Sequence, residues 1–137
     1  FFLSDIIRGF TSVGSDFTRA VKRMAQVGGD TNTGDAIRNC RAKLNSASST
    51  SNNKLFILIT DGANNSGYTD SQVQGFATDL KRTAQIFTVG AGTDGSTDAF
   101  LKKVATDDSV FFEASSVTAI NDVLQQIITR LCETTEI

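Results

Sequence analysis

The sequence predicts an α/β protein with a Rossmann-like, doubly wound, mainly parallel sheet flanked by helices. Three observations carry that prediction. LFILIT (55–60) is an unbroken apolar run rich in Ile, as expected of a parallel strand covered on both faces. IFTVGAG (86–92) is a second run of the same kind. Segments with helical apolar spacing lie between and after them, so strands and helices alternate through the second half. That order calls for right-handed crossovers and parallel pairing.

Each element has its own signal. Phe2, Leu3, Ile6, Ile7 and Phe10 recur at helical spacing and predict an amphipathic first helix. Ser15 or Asp16 is placed to cap a second, whose stripe is Phe17, Ala20, Val21, Met24 and Val27, with Gly28 and Gly29 ending it. Thr31 to Thr33 lead into a third helix with Ala36, Ile37, Cys40 and Leu44 on one face. The tract NSASSTSNN at 45–53 is polar and repetitive, a solvated loop. After LFILIT, residues 70–83 read as helix through Val73, Phe76, Ala77 and Leu80. Ala99, Phe100, Val104 and Ala105 mark the next helix, and Val110–Phe112 a third short strand. Val117, Ile120, Val123, Leu124, Ile127, Ile128 and Leu131 outline a long closing helix.

Composition narrows the function. A chain of 137 residues predicts one domain, 1–137, with a sizeable core. A net charge of −2 argues against nucleic acid, and no apolar run approaches the roughly 20 residues of a membrane span. The opening FFL lacks the basic region and small-residue cleavage site of a signal peptide. Histidine is absent, which removes serine–histidine and cysteine–histidine nucleophilic catalysis and the commonest zinc ligand. Cys40 sits in a helical stripe and reads as a buried free thiol. Cys132 follows the last apolar turn.

The candidate site is built from GGDTNTGDAI (28–37) and KLFILITDGANN (54–65). In an open α/β sheet, ligands gather beyond the carboxyl ends of the strands. The Thr31 hydroxyl and the Asp61 carboxylate are hard oxygen ligands of the kind Mg²⁺ or Ca²⁺ prefers. Each also has a plainer reading, Thr31 as a helix N-cap and Asp61 as a turn residue before Gly62. Asn32 and Asn64, beside them, could contact a partner but read first as surface turn residues.

On these two motifs, with VGAG, the short FF strand and the closing helix in order, the chain resembles a von Willebrand factor type A domain. It is similar to those of matrix proteins and of integrin α-subunits. The resemblance implies that Thr31 and Asp61 are the threonine and aspartate of a metal-ion-dependent adhesion site. It implies an extracellular, secreted protein-binding role, in which a divalent ion takes a carboxylate from a matrix or cell-surface protein. The family's third loop, Asp-x-Ser-x-Ser at the end of its first strand, does not occur in residues 1–137. Two protein oxygens predict weak binding of Mg²⁺, Ca²⁺ or Mn²⁺.

FFLSDIIRGF resembles the family's first helix, SVGSDFTR the run-in to a missing hairpin, and AVKRMAQVGG the end of the next helix. A deletion with its junction near Arg19–Ala20 would explain this. An intact helix over Ser15–Val27 would also do so, and periodicity does not separate the two. Either way the domain is expected to be incomplete at its N-terminal side, with three clear strands where the family has six. An uncovered LFILIT edge then predicts self-association through residues 55–60. Many extracellular A domains pair a cysteine near Cys132 with one ahead of the first strand. That partner is missing here, so Cys132 is expected to be unpaired.

A rival motif is Gly90-Ala-Gly92-Thr-Asp-Gly95 between a strand and a helix, with Glu113 18 residues on. It has most of a dinucleotide fingerprint, and a nucleotide-binding Rossmann-like half domain is the alternative function. Asp94 and Asp98 would oppose a pyrophosphate at that helix N-terminus. Asp94-Gly-Ser96-Thr-Asp98 imitates the missing metal loop in letters, but follows the wrong strand. A third possibility is a structural assembly module without a ligand.

Overall fold

A computed structural model describes residues 29–46 and 54–133. The helices expected over 2–10 and 15–27, the junction at 19–20 and most of the loop over 45–53 lie outside the described residues. Within them the order is helix α1 (Thr33–Ser46), strand β1 (Leu55–Thr60), helix α2 (Asp70–Leu80), strand β2 (Gln85–Ala91), helix α3 (Gly95–Val104), strand β3 (Phe111–Ala114) and helix α4 (Ile120–Glu133). Single 3₁₀ turns, Asp108–Val110 and Val117–Ala119, precede β3 and α4.

The described strands form one sheet in the order β1-β2-β3, parallel throughout. Leu55 pairs with Gln85 and Thr60 with Gly90, while Gly90 pairs with Glu113 across β2 and β3. The loops leaving β1 and β2 therefore start at the same level of the sheet. Alternation along β2 sends side chains to both faces. Ile86 joins Ile37, Leu44, Leu58, Val73, Leu80, Leu101 and Val104 on the side of α1, α2 and α3. Phe87, Val89 and Ala91 join Val123 and Ile127 of α4 on the other. Helices on both faces make the sheet doubly wound, as predicted.

The two long strands differ from the expectation that both are evenly covered. β2 is buried from Ile86 to Ala91, whereas β1 buries only Leu58 and leaves Ile59 43% exposed. The middle strand packs on both sides, and β1 is the end of the described sheet. Thr88, fully buried, escapes an unsatisfied hydroxyl by donating to the Leu101 carbonyl of α3 at 3.1 Å.

Boundaries shift for local reasons. Residues 70–83 were expected to be helical throughout, but α2 stops at Leu80, and Ala77 and Leu80 accept from the Lys81 and Ala84 amides in its closing turns. At its start Thr69 and Gln72 form a complete capping box. Val110, expected in the third strand, lies in the 3₁₀ turn capped by Asp107, so β3 begins one residue later. Cys40 is a free, half-buried thiol packed against the core rather than a fully buried one, and burial raises its pKa. Cys132 falls within α4.

Because the strands are parallel, every described helix starts at the sheet's carboxyl edge. Each carries an acid in its first turn: Asp35, Asp70, Asp98 and Asp122. Lys43, Lys102 with Lys103, and Arg130 occupy the last turns of α1, α3 and α4. This is the distribution that complements the helix dipoles.

Candidate functional site

The loop before α1 and the loop after β1 meet at the carboxyl edge of the sheet. The Thr31 hydroxyl oxygen lies 3.5 Å from where a Cβ on Gly62 would stand, which places it against the residue following Asp61. The two residues singled out from sequence are thus on adjoining loops.

What holds those loops together is a pair of asparagines. The Thr31 amide donates to the Asn65 side-chain carbonyl at 2.7 Å, and the Asn65 amide donates back to the Thr31 carbonyl at 3.1 Å. The Thr33 amide donates to Asn64 Oδ1 at 3.2 Å. Asn64 Nδ2 in turn donates to the Tyr68 carbonyl at 2.6 Å and to Asp70 Oδ1 at 3.2 Å. Asn64 therefore links the threonine loop, its own loop and the start of α2, a structural task rather than that of a plain surface turn residue.

Asn32, also read as a surface turn residue, is the cap of α1. Its Oδ1 accepts from the Asp35 amide at 3.0 Å, and its Nδ2 donates to Asp35 Oδ2 at 2.8 Å. Gly67 closes the far side with φ +78°, and a Cβ there would come within 2.5 Å of Asn32 Nδ2. Within the β1 loop, Thr60 Oγ1 accepts from the Gly62 amide at 3.2 Å and donates to the Gly62 carbonyl at 3.0 Å.

After these bonds are made, two polar groups are left over. Neither the Thr31 hydroxyl nor the Asp61 carboxylate makes a hydrogen bond among the described residues. Thr31 is half-buried and Asp61 exposed. The cap reading of Thr31 fails because Asn32 takes that position. In kind, a hydroxyl and a carboxylate suit a hard divalent cation; in number they are few. Among the described residues there is no group of three or more His, Cys, Asp or Glu side chains placed to hold a metal ion.

Beside this edge, the Arg38 guanidinium lies 5.5 Å from the centre of the Tyr68 ring and 5.7 Å from that of Phe76, and it also donates to the Tyr68 hydroxyl. Tyr68 and Phe76 meet edge to face at 5.0 Å. Tyr68 thereby fixes the end of the Asp61 loop against α1 and α2.

The glycine turn after β2 is built differently. Asp94 caps α3, accepting from the Thr97 amide at 2.8 Å and from Ser96 Oγ at 2.9 Å. The Thr97 amide is the main cause of its lowered pKa, with the Thr97 and Ser96 side chains adding to it. Thr93 Oγ1 donates to Asp98, and both crowd the site where a Cβ on Gly90 would be. The helix N-terminus that a pyrophosphate would need already has its own carboxylate. Glu113 is exposed in β3.

Comparison with known proteins agrees with this architecture. The family model for the von Willebrand factor type A domain matches residues 7–126. No curated protein matches the chain by sequence. Among solved structures, proximal thread matrix protein 1 from the mussel byssus is similar at 23% identity with a TM-score of 0.71, over 86% of this chain and 29% of that one. The same mussel protein with a zinc-occupied MIDAS motif is similar at 23% identity with a TM-score of 0.72, over 89% and 30%. This chain therefore spans less than a third of the length of that protein, and the likeness is one of fold. With its model matched across most of the sequence, the chain belongs to the von Willebrand factor type A domain family.

Proposed function

We propose that this domain is an extracellular protein-binding module whose binding edge is formed by the loops of Thr31 and Asp61. The observation that carries the reading is a pair of oxygens, uncommitted among the described residues, at a place where two carboxyl-edge loops are bonded to each other. A divalent cation held there would offer an open position to a carboxylate of a matrix or cell-surface protein. The zinc-occupied motif of the mussel matrix protein supports that chemistry by likeness of fold. Residues 1–137 contain no Asp-x-Ser-x-Ser, so by themselves they supply few of the oxygens such an ion takes and would hold it weakly. The role is binding without turnover.

Adding Mn²⁺ to the ¹⁵N-labelled chain tests this. The amides of Thr31, Asn32, Asp61 and Gly62 are expected to broaden first, only at high Mn²⁺, and not in Asp61→Ala. Broadening centred elsewhere would overturn the site. Saturation at micromolar Mn²⁺ would overturn its incompleteness.

The β1 edge adds a second contact. With no described strand beyond it and Ile59 exposed, residues 55–60 can pair with another copy. Sedimentation velocity over a concentration series should show self-association that Ile57→Lys reduces. A monomer at every concentration, with slow amide exchange along Leu55–Ile59, would exclude it.

A further inference from the structure

We propose that Asn64 is an acceptor for N-linked carbohydrate, placed so that the glycan stands at the carboxyl edge beside Thr31 and Asp61. Asn64-Asn65-Ser66 has the Asn-x-Ser pattern that the transfer reaction requires, with no proline between, and it is the sole such triplet in the 137 residues. It lies in the surface loop between β1 and α2, where Asp61, Ala63, Asn65 and Gly67 are all exposed. The inference rests on the extracellular reading above, because only a chain entering the secretory route meets the transferase.

The chemistry uses a polyprenyl-pyrophosphate-linked oligosaccharide as donor. Nδ2 of Asn64 forms a bond to the anomeric carbon, the bond from that carbon to phosphate oxygen breaks, polyprenyl pyrophosphate leaves with the electron pair, and Nδ2 loses one proton. Transfer to the nascent chain precedes folding, so the test is whether the fold tolerates the product. The carboxamide keeps its carbonyl, which accepts from the Thr33 amide, and one N–H. Of the two bonds that Nδ2 now donates, to Tyr68 O and Asp70 Oδ1, one survives. The loop clip is loosened by a single hydrogen bond. Meanwhile a bulky, hydrated group gains a position three residues from Asp61, where it would narrow the range of partners able to reach the edge.

The experiment secretes the chain from a eukaryotic host behind a heterologous leader and measures intact mass before and after peptide N-glycosidase. The wild-type chain is expected to carry one removable mass increment. Ser66→Ala, which leaves the Asn64 clip in place, should carry none, and Ser66→Thr should be fully occupied. Wild-type and Ser66→Thr chains that both emerge at the mass of the bare polypeptide would overturn the proposal. Since the leader forces secretion, that result speaks against the acceptor alone. Mn²⁺ broadening of Ser66→Ala reports separately on the adhesion edge.

Discussion

Two acidic turns lie at the same edge of one sheet, and they have opposite accounts of their polar atoms. The turn after β2 spends its carboxylates internally: Asp94 caps α3 and Asp98 accepts from Thr93. The loops of Thr31 and Asp61 spend backbone amides and asparagine side chains on each other, leaving a hydroxyl and a carboxylate unspent. By letters the glycine turn is the better-known motif. By remaining bonding capacity the other is the proposed site. A motif marks where a ligand can bind only if the fold has not already satisfied the groups that would bind it.

The largest effect that would break this contrast is in the self-satisfied turn. Gly90→Val should destabilise by about 1–3 kcal/mol, because its side chain would overlap Thr93 Oγ1, lie 3.0 Å from Asp98 Oδ1 and 3.3 Å from Leu101 Cδ1. Urea unfolding followed by circular dichroism measures it. An unchanged midpoint would mean that the turn has slack, and the nucleotide alternative would regain force.

Asn64→Ala comes next, at about 1–2 kcal/mol, since it strands the Thr33 amide and the Tyr68 carbonyl in a part-buried loop. It should also blur Mn²⁺ broadening at Thr31 without touching either proposed ligand. Equal stability with unaltered broadening would show that Asn65 alone is enough to join the loops.

Asp94→Ala should lower the urea midpoint less than either, in a pH-dependent way. Hydrogen bonds hold the Asp94 pKa below that of an unfolded aspartate, so its contribution is complete above the ordinary Asp value of about 4. It fades as pH falls through the folded-state pKa. Wild type and variant should therefore differ at neutral pH and converge in acid. A difference that persists in acid would place the effect elsewhere than in the charged cap.

The smallest effect on stability is expected from Asp61→Ala, which removes an exposed side chain with no hydrogen bond among the described residues. Its midpoint should match wild type while Mn²⁺ broadening disappears. Titration with NAD, NADP and ATP should show no saturable binding to either protein. Saturable binding lost in Gly92→Val would reverse the roles of the two turns.

Much of the sheet was legible because its signals are local. LFILIT and the IFTVGAG run announce themselves by continuous apolar composition, and helical stripes fix the elements between them. The differences are local as well: α2 stops where Leu80 closes the last turn, and Val110 goes to a turn that Asp107 caps. The candidate ligands of the proposed site came from the sequence, but its scaffold did not. The bonds from Thr31 and Thr33 to Asn65 and Asn64 span 34 and 31 residues, and no window of sequence displays them. One signal could have been read: Asn32-x-x-Asp35 has the spacing of a cap and its helix partner, which frees Thr31 from that duty. The uneven burial of β1 depends on what stands beside it, which its own residues do not encode.

The arrangement of charge along the helices has a consequence for timing. Asp35, Asp70, Asp98 and Asp122 open the four helices at the same edge as Asp61 and Asp94, while Lys43, Lys102, Lys103 and Arg130 collect at the opposite end. Among the described residues, these helix-end charges thus place negative potential over the edge that carries Thr31 and Asp61. On the proposed binding mode, small cations would be drawn toward that edge, and an acidic partner would be turned away from it until a cation has arrived. On the proposed binding mode, the order of ion before partner would follow from helix ends whose charges serve the helices first. Raising the salt concentration should shorten this field and weaken the preference, most at ionic strengths where the screening length falls below about 10 Å.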